Sequence, residues 1–92
     1  MPNKKHISIR VRPDLVEISL KEKRKTIDRS SFSEHHNLSE RLLVEIDRLL
    51  VKNGLAAKDL AGVKVKSEIP QSYTSTRIAK AVEKAFNYAI KG

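Results

Sequence analysis

The fold is decided by residues 6–20, HISIRVRPDLVEISL, where two alternating segments flank one proline. Alternation of apolar and polar residues is the pattern of a β-strand with one buried face. Pro13 separates the two segments, because proline fixes φ and cannot donate to a ladder of hydrogen bonds. The buried face is predicted to hold Ile7, Ile9, Val11, Val16, Ile18 and Leu20. We therefore predict strands over about 6–12 and 15–21 that pair as a hairpin.

A third strand is predicted over about 24–28, where charged residues predominate. Charges of this kind are typical of an edge strand, which they protect from pairing with another chain. Residues 29–37 are mostly polar and are interpreted as a linker. At its end, Asn37 and Glu40 have the spacing of a capping box, so a helix is predicted to begin there.

This helix is predicted over about 38–53, with Gly54 as a left-handed residue at its end. Its apolar residues form one broad stripe: Leu38, Leu42, Leu43, Ile46, Leu49 and Leu50. Val44 and Val51 fall on the opposite side, where a helix that faces water is ordinarily polar. The charged residues are expected to line the solvated side: Glu40, Arg41, Glu45, Asp47, Arg48 and Lys52. The helix therefore has apolar residues on more sides than one sheet can cover.

The rest of the chain predicts a short helical turn at 56–60, a strand over about 62–67 and a helix over about 73–90. The buried face of this helix is predicted to hold Ile78, Val82, Phe86 and Ile90. Beside it lies a strip of small residues, Ala81, Ala85 and Ala89, which either meets a partner or packs inside the monomer. The order β-β-β-α-β-α predicts one α/β domain over residues 1–92, a small sheet with two packed helices.

The charge of the chain favours anionic partners. Its 92 residues include 19 Lys and Arg against 11 Asp and Glu, a net charge of +8, and most of the excess lies in residues 1–29. Nucleic acid is the leading candidate, because contacts with phosphates release condensed counterions. The candidate nucleic-acid contacts are Lys21, Lys23, Arg24 and Lys25. The alternative is that these side chains only solvate the outer face of the sheet.

Motifs for catalysis or cofactor binding are weak in this sequence. Zero cysteines exclude disulfides and thiol chemistry, and three glycines leave no P-loop or dinucleotide motif. His35 and His36 are adjacent, whereas helical metal ligands lie at i and i+4, so no metal or cofactor is predicted. An enzymatic alternative would require Asp14 and Thr74 to share a metal ion. No apolar run approaches the roughly 20 residues of a membrane span, and no secretory leader is evident, so we expect a cytoplasmic protein.

The predicted first helix and the segments after it carry a family resemblance. They are LSERLLVEIDRLL at 38–50, a Gly-Leu stop at 54–55, a KDL turn at 58–60, a VKV strand at 63–65 and SYTSTRIA at 72–79. The chain resembles the N-terminal lobe of the TsaB (YeaZ) family, the non-catalytic relatives of TsaD. Members of that family show HSExLLPxIxxLL and GPGSFTGLRIG, with three strands before them and an alanine-rich helix after. The resemblance covers nearly the whole chain, and SYTxxRI is its most specific part.

The sequence departs from the family pattern in two motifs. Leu38 stands where the family has a histidine before Ser-Glu. The glycines of the family's Gly-rich turn correspond to Ser67, Ile69 and Gln71, and Pro70 alone is kept, so this turn is expected to have another shape. ASKHA phosphotransferases, to which the family is distantly similar, place an acidic residue in the first hairpin, where this chain has Asp14. The sequence has no counterpart of the family's C-terminal lobe, so the resemblance implies a single-lobe version or a diverged remnant, with no interlobe cleft within one chain.

The resemblance implies half of an ASKHA (ribonuclease H-like) fold and a subunit that is not an enzyme. In the TsaB family the two helices pair with TsaD or with a second TsaB, in the assembly that installs threonylcarbamoyl-adenosine on tRNA. The expected partner is therefore a TsaD-like protein or a second copy, with tRNA contacted through the complex. The predicted partner interface is Leu43, Val44, Asp47, Val51, Arg77, Ala81, Ala85 and Tyr88. A small basic nucleic-acid-binding module is the alternative function.

Overall fold

The computed structural model describes residues 4–33, 37–68 and 74–91, apart from the side chains at positions 74, 75 and 91. Its elements are β1 (Lys5–Val11), β2 (Val16–Glu22), β3 (Lys25–Phe32), α1 (Leu38–Lys52), a 3₁₀ turn (Ala57–Asp59), β4 (Leu60–Ser67) and α2 (Thr74–Lys91). This order is the predicted one, and the predicted α/β class with a small sheet and two helices is confirmed.

The four strands form one mixed sheet in the order β3-β2-β1-β4. β1, β2 and β3 pair antiparallel, and β4 pairs parallel to β1. Ile9 stands opposite Ile18 on one side and opposite Val65 on the other. Because side chains alternate across a strand, this register collects the apolar residues of neighbouring strands on one face. The predicted inward residues of β1 and β2 are all fully buried: Ile7, Ile9, Val11, Val16, Ile18 and Leu20.

Both helices pack on the apolar face of the sheet and against each other. α1 lies over β2 and β3, whereas α2 lies over β4 and β1. From α1 the core receives Leu38, Leu42, Ile46, Leu49 and Leu50, and from α2 it receives Ala79 and Val82, with Ile78, Phe86 and Ile90 packed beside them. Leu43, which the periodicity placed on the buried stripe, is instead 44% exposed, because it lies at the margin of that stripe.

The third strand is longer than the sequence predicted. β3 continues to Phe32, which is 7% exposed and stands opposite Val16, so residues 29–32 are strand and not linker. The register between β2 and β3 shifts between Leu20 and Lys21, where Ile27 is the extra residue of a bulge. β3 is an edge of the sheet, as its charges predicted.

The two ends of α1 differ in how well they were predicted. Asn37 adopts φ 55° and ψ 40°, and its side chain makes no capping hydrogen bond, so the predicted capping box is wrong. In this left-handed conformation its carbonyl oxygen accepts a hydrogen bond from the Arg41 backbone nitrogen at 3.0 Å. At the other end Gly54 has φ 68° and the Leu55 nitrogen donates to the Leu50 oxygen at 2.8 Å, which is the predicted left-handed termination.

Glu45 is buried, which corrects its assignment to the solvated side of α1. Its side chain is 8% exposed and accepts a hydrogen bond from the Ser30 hydroxyl at 2.7 Å. The guanidinium groups of Arg41 and Arg48 lie 3.6 and 3.4 Å from Glu45 Oε1. Ser30, which covers Glu45, belongs to the part of β3 that the sequence did not predict. A prediction that ended this strand at residue 28 could therefore not bury Glu45.

Side chains of α2 cover the free edge of β4. Asn87 accepts a hydrogen bond from the Val63 nitrogen at 2.8 Å and donates to the Val63 oxygen at 3.0 Å. Glu83 Oε2 accepts from the Val65 nitrogen at 2.8 Å, and the hydroxyls of Thr76 and Ser67 are 2.8 Å apart. The bonds to Val63 and Val65 satisfy backbone groups that an edge strand otherwise presents to other chains.

The end of β4 near Asn87 is packed closely. A Cβ atom at Gly62 would lie 3.3 Å from Asn87 Oδ1, so glycine permits the close approach of α2.

Among the described residues, neither helix is long and apolar enough to span a membrane.

Candidate functional site

Exposed apolar side chains concentrate on the two helices. Among the described residues, the large apolar side chains left exposed are Ile27 on β3 and four on the helices: Leu43 at 44%, Val44 at 50%, Val51 at 69% and Tyr88 at 83%. The structure also places Asp47, Arg77, Ala81 and Ala85 on the helix surfaces. We call the eight helix residues the two-helix face: Leu43, Val44, Asp47, Val51, Arg77, Ala81, Ala85 and Tyr88.

On α1 the residues of the two-helix face follow from helical spacing. Val44, Asp47 and Val51 are three and four positions apart, so they lie along one side of the helix. The residues of α1 that enter the core are on the opposite side, against β2 and β3. Because the core fixes the rotation of α1, its surplus apolar residues must face away from the sheet.

On α2 the exposed side combines small, aromatic and basic residues. Arg77, Ala81 and Tyr88 lie four and seven positions apart and share one side of the helix. The alanine strip is exposed, with Ala85 and Ala89 beside that side. The alternative in which the strip packs inside the monomer is therefore wrong for the chain as described.

Charged side chains flank the exposed apolar residues of both helices. α1 presents Glu40 and Asp47 on one flank of its valines, and α2 presents Arg77 and Lys84 beside its alanines. Within the described residues, these four side chains take part in no ion pair. The other flank of the α1 valines is basic, with Arg41, Arg48 and Lys52. Because α1 and α2 are in contact, both helices contribute apolar and charged side chains to the surface of the pair.

The C-terminal end of α1 is fixed to β3 by Asp28. The Asn53 amide donates to Asp28 Oδ2 at 3.2 Å, and the Lys52 ammonium lies 3.3 Å from the same oxygen. The Asn53 hydrogen bond, followed by that from the Arg29 backbone nitrogen, lowers the pKa of Asp28 below its ordinary value. These contacts hold the helix in place and leave Val51, one position before Lys52, on the surface.

The four predicted nucleic-acid contacts lie at one corner of the sheet. Lys21 is on the outer face of β2, opposite the helices, and Lys23, Arg24 and Lys25 are exposed at the turn into β3. Lys23 has φ 56°, a left-handed conformation that suits the tight turn. Lys21 therefore lies on the same face of the sheet as basic residues of other strands, whereas Lys23, Arg24 and Lys25 lie at the turn.

His6 lies on the same outer face of the sheet, and its pKa is lowered there. It stands opposite Lys21 in the sheet register. Partial burial, and then the positive charges of Lys64 and Lys21, lower the pKa of His6 from its ordinary value.

Some of the predicted functional residues lie outside the described part of the chain. They are His35, His36, Ile69, Pro70, Gln71, Ser72 and Tyr73. Asp14 is exposed in the turn between β1 and β2, and the side chain of Thr74 is outside the described part of the chain, so the enzymatic alternative that requires this pair to share a metal ion is not tested.

The polar stripe of Thr76, Glu83 and Asn87 was missed at the sequence level. These residues are seven and four positions apart on α2, directly beside its apolar face. In the sequence, a polar stripe directly beside the apolar face of a helix is the pattern that could have indicated a helix lying along the edge of a strand.

Solved structures with the same fold include two from Pseudomonas aeruginosa. An uncharacterised protein with similarity to the peptidase YeaZ gives a TM-score of 0.79 at 17% identity, over 96% of this chain and 40% of the other. YeaZ gives a TM-score of 0.74 at 18% identity, over the same shares. No protein-family profile and no curated protein matches the sequence. The chain therefore has the fold of a part of YeaZ-like proteins and spans 40% of their length.

Proposed function

We propose that this chain is a non-catalytic interaction subunit of the TsaB type. It pairs through the two-helix face with a second copy or with a TsaD-like protein, and through that assembly it serves the threonylcarbamoyl-adenosine modification of tRNA. The observation that carries the proposal is the exposure of Leu43, Val44, Val51 and Tyr88 on neighbouring helices. Exposed apolar side chains that form a group, with a polar rim, are typical of protein-binding surfaces.

Charge complementarity supports pairing between two copies. In an isologous dimer each residue pair occurs twice, so α1 of one protomer can contact α2 of the other and the reverse. Glu40 and Asp47 of one copy then approach Arg77 and Lys84 of the other, around a centre formed by the valines and Tyr88. The alanine strip lets the two helices approach closely, because alanine side chains add little to the distance between helix axes.

The fold likeness to YeaZ supports a TsaD-like protein as the other partner. In the family that the sequence resembles, the corresponding helices pair with TsaD or with TsaB itself. The same surface would then serve both contacts, so the two partners compete. A TsaD-like protein would displace the second copy rather than bind to the dimer.

The test is multi-angle light scattering of the purified chain over a wide concentration range, alone and mixed with a purified TsaD-like protein. Val44→Glu and Ala85→Glu each introduce a charge into the two-helix face without touching the core. Ile27→Glu is the matched control, because Ile27 is also an exposed apolar residue but lies on the β3 edge. Circular dichroism establishes that all three variants are folded.

We expect the wild type and Ile27→Glu to form a dimer or a complex with the TsaD-like protein. Val44→Glu and Ala85→Glu should be monomeric in both settings. A wild type that stays monomeric and ignores the TsaD-like protein would refute the proposal. So would association that survives both helix substitutions.

A further inference from the structure

The outer face of the sheet is a second, separate surface. It consists of the side chains of β1–β4 that alternate with the buried ones, and none of the described elements covers it. The sheet register sets these side chains in rows across the strands. One row is Lys66, Arg10, Glu17 and Ser31, the next is Lys64, Ser8, Ser19 and Arg29, and the third is Gly62, His6, Lys21 and Thr26.

The rows form a shallow trough with a floor of short side chains. Ser8 and Ser19 stand opposite each other in the centre, and longer basic side chains rise around them. The concavity measures about 400 Å³ and is lined by Ser8, Arg10, Arg12, Glu17, Ser19, Lys21, Thr26 and Arg29. We call this surface, together with Lys64 and Lys66 beside it, the open sheet face.

The open sheet face carries cations that the protein does not neutralise. Its only carboxylate within the described strands is Glu17, whose oxygens lie 3.7 Å from Arg12 and 3.9 Å from Arg29. Arg12 also lies 2.7 Å from Glu68. The cations of this face without an ion pair among the described residues are Arg10, Lys21, Lys64 and Lys66.

A protein helix or a second sheet would fit this surface badly. The rows contain no large apolar side chain, so a covering element would gain little from hydrophobic burial. It would also remove four unpaired charges from water, which is costly without partners. The occupant that suits the face is instead a hydrated anionic surface, which neutralises the charges and leaves them partly solvated.

We infer that the open sheet face binds the phosphate backbone of a double-stranded or folded nucleic acid. Basic side chains stand on all four strands of this face, so a nucleic acid that lies across it can make several phosphate contacts at once. The described residues of the face include no Phe, Tyr or Trp, so the face lacks the row of aromatic side chains on which the bases of single strands usually stack. Partial burial, and after it the positive charges of Lys64 and Lys21, lower the pKa of His6 in this face.

This inference does not depend on the two-helix face. The two surfaces lie on opposite sides of the sheet, so a protein partner and a nucleic acid can bind together. Lys21 belongs to the open sheet face, whereas Lys23, Arg24 and Lys25 extend from its corner and would add contacts at the margin. The site also includes Arg10 and Lys64, which are not among the four contacts predicted from the sequence.

The test is fluorescence anisotropy of a labelled RNA duplex of about 20 base pairs, titrated with the protein at several salt concentrations. Arg10→Glu combined with Lys64→Glu, called the trough variant, reverses the charge of one cation that lines the trough and of one beside it. Lys58→Glu combined with Lys80→Glu is the matched control, because it changes the net charge equally at exposed positions on the 3₁₀ turn and α2. A single strand of the same length and a DNA duplex are measured alongside.

We expect the wild type to bind both duplexes more tightly than the single strand. Neutralisation of about four phosphates predicts roughly a 100-fold loss of affinity between about 50 and 200 mM salt. The trough variant should bind at least about tenfold more weakly than the control variant and with a shallower salt dependence. Equal weakening in the two variants, a preference for the single strand, or no binding at about 50 mM salt would overturn the inference.

Discussion

Replacement of Asn87 by alanine tests how α2 covers the edge of β4. The substitution removes the hydrogen bonds of 2.8 and 3.0 Å to the nitrogen and oxygen of Val63, a residue that is 1% exposed. Each bond contributes about 1 kcal/mol net, and alanine regains up to ~0.7 kcal/mol through its higher helix propensity. We therefore expect Asn87→Ala to lower the free energy of unfolding by about 1.5 kcal/mol.

Urea denaturation followed by circular dichroism measures this change, and thermal unfolding should show a midpoint lower by roughly 6–12 °C. Lys80→Ala is the control on the same helix, because Lys80 is exposed and has no ion pair among the described residues. Its free energy of unfolding should change by less than about 0.5 kcal/mol. If Asn87→Ala matches this control, the bonds to Val63 do not stabilise the fold and the reasoning fails.

Further predictions concern acid stability, the end of α1 and the outer face of the sheet. Because Asn53 lowers the pKa of Asp28, this carboxylate stabilises the fold at neutral pH, and that stabilisation is lost as the pH falls through the Asp28 pKa of the folded state. In Asp28→Asn the urea midpoint of unfolding should therefore depend less steeply on pH between about pH 6 and 3. An unchanged pH dependence would contradict this prediction. Gly54→Ala should lower the free energy of unfolding, measured by thermal denaturation, by about 1 kcal/mol. Gly54 has φ 68° and a Cβ atom there would meet nothing within 4 Å, so backbone strain alone causes the loss. An unchanged free energy of unfolding would count against the left-handed termination of α1. Addition of an RNA duplex should raise the pKa of His6, measured by NMR, because phosphates offset the charges of Lys64 and Lys21; a pKa that stays constant while the duplex binds would place the contact elsewhere.

The central strands and both helices could be predicted because their local patterns agree with their surroundings. β1 and β2 alternate strictly, and every residue predicted to face inward is buried. Gly54 ends α1 in the left-handed conformation that its position predicted. In these segments the periodicity of the chain and the packing of the core require the same residues.

β3 was underestimated because its second half has little local signal. Ser30 and Ser31 are not typical strand residues, and Phe32 is the first buried residue after the bulge at Ile27. Pairing with β2 fixes this segment, and pairing is a tertiary interaction. The burial of Glu45 depends on the same extension, so one missed strand end produced a second error on a different element.

The two-helix face could be predicted in outline, and the open sheet face could not. Val44 and Val51 are surplus to a single buried stripe, and that surplus is visible in the sequence. The trough joins Arg10 with Lys66 and Ser8 with Lys64 through the parallel pairing of β1 with β4. These residues are more than 50 positions apart, so no local pattern brings them together.

The most direct measurement of the proposed function is a set of two-dimensional ¹⁵N–¹H NMR spectra recorded as protein concentration rises or the TsaD-like protein is added. We expect the amide shifts of Val44, Val51 and Tyr88 to move together, while those of Ser8 and Lys64 on the opposite side of the sheet stay in place. Spectra that do not change, or changes confined to the outer face of the sheet, would contradict the assignment of the two helices as the protein-binding surface.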